Sequence, residues 1–177
     1  MVAGNPSVGQ WHEDLWPKFR PVLEILRPDD FLGLHEYWAD ESDLDNRWLC
    51  GRWTIPQIAE VLGDVKIVVT ECGRDQVGGR GRPGWQLTTD AGTYLWELET
   101  YDALLRRSRN VVGATVFSMD PTWGSFDVYG IWPEVVYRYS IAPDDPADTG
   151  PWRMYLPLLG TPPRPPLGWV WPILYPR

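Results

Sequence analysis

Residues 66–85 read KIVVTECGRDQVGGRGRPGW, a β-branched run that climbs to one acidic residue, Glu71, and then gives way to a loop crowded with glycine and arginine. In parallel α/β sheets the loops at the carboxyl ends of strands build the site, so a carboxylate at this point is a candidate catalytic residue. A second cluster lies in FLGLHEYW, residues 31–38, where His35, Glu36 and Tyr37 are consecutive. Side chains alternate along a strand. If His35 and Tyr37 face a pocket, Glu36 turns toward the opposite layer unless the strand bends at its end. Trp38, Asp75, Trp85, Asp120 and Trp123 stand at or beyond predicted strand ends. Carboxylates accept from hydroxyls and an indole covers an apolar ring face, which makes these five candidate substrate contacts.

The glycine-rich loop admits two other readings. Gly79, Gly81 and Gly84 satisfy G-x-G-x-x-G, but seven residues separate Glu71 from Gly79. A dinucleotide fingerprint needs its first glycine tight against the strand end. Arg80-Gly81-Arg82-Pro83 matches the core of a minor-groove hook, yet it lies in a chain with a formal net charge of -8. Nucleic-acid affinity rests largely on neutralising phosphates, so an acidic chain of this kind argues against a nucleic-acid partner. No C-x-x-C or H-x-x-x-H spacing points to a metal, and neither a G-x-S-x-G elbow nor a P-loop is present. No cofactor is implied.

The elements that position these residues follow from periodicity. Apolar residues at 11, 15, 16, 19, 23 and 26 suit one helical face, with Pro17 and Pro21 delaying or bending the helix. Residues 31–38 read as a buried strand. Residues 53–62 read as a helix with Thr54 as its cap and Gly63 as its stop. Residues 66–70 form a strand covered on both faces, 94–107 a helix, and 111–117 another strand. The alternation predicts an α/β fold with a parallel sheet. From residue 141 to 177 proline dominates, and the segment reads as a linker or poorly packed tail.

The chain has 177 residues, 44% of them hydrophobic, enough for a core. Twelve tryptophans are the compositional anomaly and suit stacking on neutral ligands such as sugars. Two cysteines, Cys50 and Cys72, are too few for a disulfide framework. No leader-like segment opens the chain and no apolar run reaches the roughly 18 residues of a membrane span, so neither a membrane nor an address is expected.

Taken together, LHEYW, VVTECGRD, LETYDALLRRSRNVVGATVFS and the W-G-S-F-D after it resemble, in this order, the large clan of retaining (β/α)8 glycoside hydrolases. The likeness is to secreted bacterial members, over residues 1–134, with GNP and WLCGRW as further points of similarity. T-E-x-G then resembles the seventh strand, with Glu71 in the nucleophile's place, H-x-Y the sixth, and GATVFSMD the eighth. The resemblance implies a partial barrel of three to four C-terminal βα units over residues 1–140, followed by the proline-rich tail. It implies a carbohydrate substrate, and an extracellular location if the full-length precursor is secreted. The clan's acid/base follows an asparagine at the fourth strand, and no Asn-Glu pair occurs here; Glu36 is the substitute by position. The expected function is retaining glycoside hydrolysis by the whole barrel. The alternative is a carbohydrate-binding or interaction module without catalysis. Three strands of eight would leave sheet edges that a second copy or a missing half barrel must cover.

Overall fold

The run 31–38 forms a strand over its whole predicted length, and the segments around it alternate as expected. The computed structural model describes residues 1–118 and 129–130, with the backbone of 153–155. Asp120 and Trp123 lie outside the described residues. In chain order the elements are β1 (Val2–Gly4), α1 (Trp16–Leu23), β2 (Phe31–Trp38), α2 (Pro56–Leu62), β3 (Ile67–Arg74), α3 (Ala91–Arg106), β4 (Val111–Val116) and β5 (Arg153–Tyr155). The strands make one parallel sheet in the order β1-β2-β3-β4-β5. The fold is α/β. Two of its strands depart from the sequence reading: β1 is too short to show a period, and β5 falls in the proline-rich segment read as a tail. The open edge of β4 offers backbone donors and acceptors, which is reason enough for a short extended segment to pair there.

Local chemistry explains the helix ends. Pro17 lies in the first turn of α1, where its missing N–H costs nothing, and the helix starts at Trp16, late as expected. Pro56 opens α2, and Gly63, at φ 55°, ends it. The Thr54 hydroxyl bonds back to the Gly51 carbonyl instead of capping the helix. Asp90 caps α3, its Oδ1 accepting from the amides of Gly92 and Thr93 at 2.8 and 3.0 Å. These amides, Thr93 first, hold the Asp90 carboxyl below its ordinary range. The cap moves the start of α3 three residues ahead of the predicted one, to Ala91.

Each connection from β1 to β4 steps to the next strand in one direction, so right-handed crossovers gather the helices on one face of the sheet. Leu32, Leu34, Ile67 and Val69 are wholly buried and join Ile58 of α2 and Leu98, Tyr101 and Leu105 of α3 in one core. Each such aliphatic side chain contributes about 1.5–3 kcal/mol on burial. Tyr101, Trp38, Tyr94 and Trp85 form an aromatic column through this layer, ending in a parallel stack of Trp85 on Tyr94 at 5.0 Å.

Within the same layer sits an ion pair with no exposure on either side. Arg52 Nε lies 3.7 Å from Glu36 Oε1. The amides of Gly51 and Arg52 donate to the Glu36 carboxylate at 2.8 and 3.2 Å, and the Tyr101 hydroxyl donates at 2.7 Å. The guanidinium donates in turn to the carbonyls of Ser7, Gln10 and His35. Burial pushes the Glu36 carboxyl upward, while Arg52 and the three donors favour the charged form. Removing one partner strands the other charge in the core. Arg52→Met should therefore destabilise the fold by about 3–5 kcal/mol, and Arg52→Met combined with Glu36→Gln should recover part of that loss. Urea denaturation of the two variants checks both expectations.

Candidate functional site

The carboxyl halves of β2 and β3 bring three of the candidate residues together, and β3 runs on past Glu71 to Arg74 where the sequence predicts its end at residue 70. Leu34 pairs with Val69 and the next residue, His35, pairs with Glu71, so Thr70 is an extra residue and the ladder bulges there. Without the bulge, alternation from buried Ile67 and Val69 would send Glu71 into the helix layer. With it, Glu71 turns to the opposite face beside His35 and Tyr37, and Cys72 takes the buried position. Nothing in the composition of IVVTECG announces an extra residue, and the sequence reading did not anticipate it.

One oxygen of Glu71 is held. The Tyr37 hydroxyl donates to Oε2 at 3.0 Å, and His35 Nδ1 lies 3.3 Å from the same atom. Among the described residues no donor reaches Oε1. The Glu71 side chain is 37% exposed and that of His35 21%, whereas Tyr37 is buried. Burial, then the charge of Glu71, raises the Tyr37 phenol far above its ordinary range, so it remains a donor. The edge of its ring meets Phe117 at 6.5 Å. The His35 backbone is fixed from both sides: its carbonyl accepts from Arg52 Nη2 at 2.5 Å and its amide donates to the Pro6 carbonyl at 3.3 Å.

Asp75 continues from the end of β3, with its amide bonded to the Trp38 carbonyl. Its Oδ1 accepts from the Tyr129 hydroxyl at 2.5 Å and from the Gln76 amide at 2.6 Å. The Tyr129 ring rests edge-on against Phe117 at 5.4 Å. Asp75 and Tyr37 are thus linked through Tyr129 and Phe117, two residues that the sequence reading did not single out.

Three candidates are corrected. Glu36 faces the helix layer, wholly buried and surrounded by donors, so it can neither approach a substrate nor exchange a proton with one. Trp38 is also wholly buried, its indole N–H donating to Glu97 at 3.0 Å. Trp85 is buried against Tyr94 and donates to the Gly130 carbonyl at 3.0 Å. Arg74 pairs with buried Glu97. In each case the large side chain completes the core.

The glycine-rich loop closes on itself. Val77 and Arg80 exchange backbone hydrogen bonds around Gly78 and Gly79, whose φ values of 58° and 77° fit a primed hairpin turn. Arg80 donates to Asp43 at 2.5 Å and lies 3.6 Å from Asp40. Its charge is matched within the protein, which removes the flanking cation that a groove-binding hook requires. Gly84 leads into a short turn at Trp85–Leu87, four residues before α3 begins. Among the described residues no helix begins directly at the glycines, as a dinucleotide fold would need.

Among the described residues no group of three or more His, Cys, Asp or Glu side chains is arranged to hold a metal, and no helix is long and apolar enough to cross a membrane. Cys50 and Cys72 are free and buried, and burial pushes both thiols up. Comparison with protein-family models, with curated proteins and with solved structures finds no match.

The site is therefore a partly exposed carboxylate with one oxygen fixed by a neutral phenol and an imidazole, and the other without a donor among the described residues. The phenol makes a testable statement. Since the folded pKa of Tyr37 lies above its ordinary value of 10.0, its contribution to stability is complete below pH 10 and declines as pH rises beyond it. The near-ultraviolet titration of the native chain, less that of Tyr37→Phe, should show no phenolate step around pH 10; an ordinary step there would contradict the Tyr37–Glu71 bond.

Proposed function

We propose that the chain is the C-terminal part of a retaining glycoside hydrolase built on a (β/α)8 barrel, with Glu71 as its nucleophile. The observation that carries this reading is the asymmetric hold on Glu71, one oxygen fixed by Tyr37 and one without a donor among the described residues, in the carboxyl half of a parallel strand. The sheet order supports the barrel. A doubly wound sheet reverses direction at a switch point, whereas here each strand lies beside its predecessor from β1 to β5, as in an arc of a barrel. The rest of the barrel is then supplied by further strands on either edge.

In the reaction, Oε1 of Glu71 attacks the anomeric carbon as the bond to the leaving oxygen breaks. A general acid elsewhere in the barrel gives that oxygen a proton. The glycosyl ester on Glu71 is then opened by water, whose proton returns to the same group. Tyr37 and His35 hold Oε2, so the attacking oxygen keeps its orientation. Asp75, with one oxygen engaged by Tyr129, offers the second to a sugar hydroxyl. With Glu36 in the helix layer, the acid/base belongs outside the described residues.

That same feature favours a second reading, a carbohydrate-binding module without turnover. An activated aryl 2-deoxy-2-fluoroglycoside separates the two, because its leaving group departs without protonation and the fluorine slows hydrolysis of the ester. Incubated with the full chain, it should add one fluoroglycosyl group to the peptide containing Glu71, seen by mass spectrometry. Glu71→Gln should abolish the adduct. Sugar binding with no adduct would decide for the module.

A further inference from the structure

We propose that Asn5 is a ligand-positioning residue of the same site, its carboxamide donating through Nδ2 to a hydroxyl of a neutral sugar seated against Glu71. The inference rests on the carbohydrate reading above. Asn5 follows β1 immediately, at the end of the sheet where Glu71 lies. Its backbone stands at φ 58°, in the left-handed region where asparagine is among the few side chains readily accommodated. Its amide donates to the Gly33 carbonyl at 3.0 Å.

The side chain is held as firmly. The Thr70 hydroxyl donates to Asn5 Oδ1 at 2.8 Å, with the Leu34 carbonyl as a longer second acceptor at 3.3 Å. Thr70 is the residue before Glu71, and the bulge turns the two toward the same face, so the carboxamide is tied through Thr70 to the face that carries the carboxylate. Gly33 makes the space: a Cβ at that position would lie 1.7 Å from Asn5 Oδ1. Glycine inside a strand weakens it and commonly marks a close approach by another group. Here the approaching group is an exposed carboxamide, so burial gives little return for the weakened strand.

The arrangement does provide a directed donor. With one lone pair of Oδ1 taken by Thr70, the carboxamide keeps two N–H groups and one further acceptor position, and among the described residues no acceptor meets the N–H groups. A carboxylate that accepts and an amide that donates, on one face of the sheet, suit the paired donor and acceptor character of vicinal sugar hydroxyls. An anionic ligand would be repelled by Glu71, and an apolar one would leave both groups unsatisfied.

Three variants and one direct observation test this. In the ¹⁵N-labelled full chain, titration with glucose, galactose, mannose and xylose in turn is followed at the Asn5 side-chain amide and at the residues His35 and Tyr37. For the sugar that shifts His35 and Tyr37, the Asn5 amide pair should shift with the same midpoint. Asn5→Ala should weaken that binding by about three- to tenfold, the loss of one neutral hydrogen bond. Asn5→Asp keeps the acceptor for Thr70 but removes the donor, so it should lose as much as Asn5→Ala, whereas a purely structural asparagine would tolerate it. Thr70→Val, which frees the carboxamide, should weaken binding by about threefold. If His35 and Tyr37 shift while the Asn5 amide does not, and Asn5→Asp binds as the native chain does, the proposal is overturned and the carbohydrate site stands. If no sugar shifts His35 or Tyr37, both fall together.

Discussion

The buried pair of Glu36 and Arg52 is the constraint around which the site is organised. Taking two charges out of water costs several kcal/mol each, and only close, well-donated geometry offsets it. Here the Glu36 carboxylate collects two amides and a tyrosine hydroxyl besides the guanidinium, and the guanidinium reaches three carbonyls. The cluster thereby ties β2 to the loop after β1, to the turn at Arg52–Thr54 and to α3. Its orientation also decides the opposite face. Because side chains alternate, seating Glu36 among the helices leaves His35 and Tyr37 on the other side, and Arg52 fixes the His35 carbonyl directly.

The second constraint is the bulge at Thr70. A regular β3 would carry Glu71 into the core beside Ile67 and Val69, where a lone carboxylate would have no compensating charge. The extra residue leaves the hydrophobic pattern of the strand intact up to Val69 and resumes it at Cys72. Between them, two polar side chains share one face. Strong strand propensity and an outward-facing carboxylate therefore coexist in one strand because a single residue is left out of the pairing.

These two devices differ in how far they can be read from sequence. The strand over residues 31–38 was legible with its boundaries, because an aromatic and apolar run is bounded by proline and aspartates, and the parity of His35 and Tyr37 followed from it. The direction of Glu71 was not, since alternation cannot reveal an insertion of one residue. The tryptophans misled for a related reason. Composition alone offers each as a stacking platform, but Trp38 and Trp85 have partners for their indole N–H inside the fold, Glu97 and the Gly130 carbonyl, and so can be buried whole. Arg52 was invisible as a structural residue because its partner Glu36 looked like a candidate for chemistry. Asn5 was missed because β1 has only three residues, too few to display a period.

The consequence for the chemistry lies in where the two hydrogen-bonding partners of Glu71 converge. Had Tyr37 and His35 taken one oxygen each, the carboxylate would be immobilised with both oxygens engaged, and its reach toward an incoming atom would fall. Both instead approach Oε2. The torsion of the carboxyl group is fixed by one end, and the other end remains unengaged among the described residues. A phenol kept neutral by burial is suited to this task, because it orients the carboxylate without neutralising it. The neighbouring Arg74, whose charge would neutralise it, is turned by the same strand alternation into the helix layer, where Glu97 takes it up. Strand parity thus sorts the charges at the end of β3: the guanidinium inward to a partner, and the carboxylate outward with one oxygen to spare.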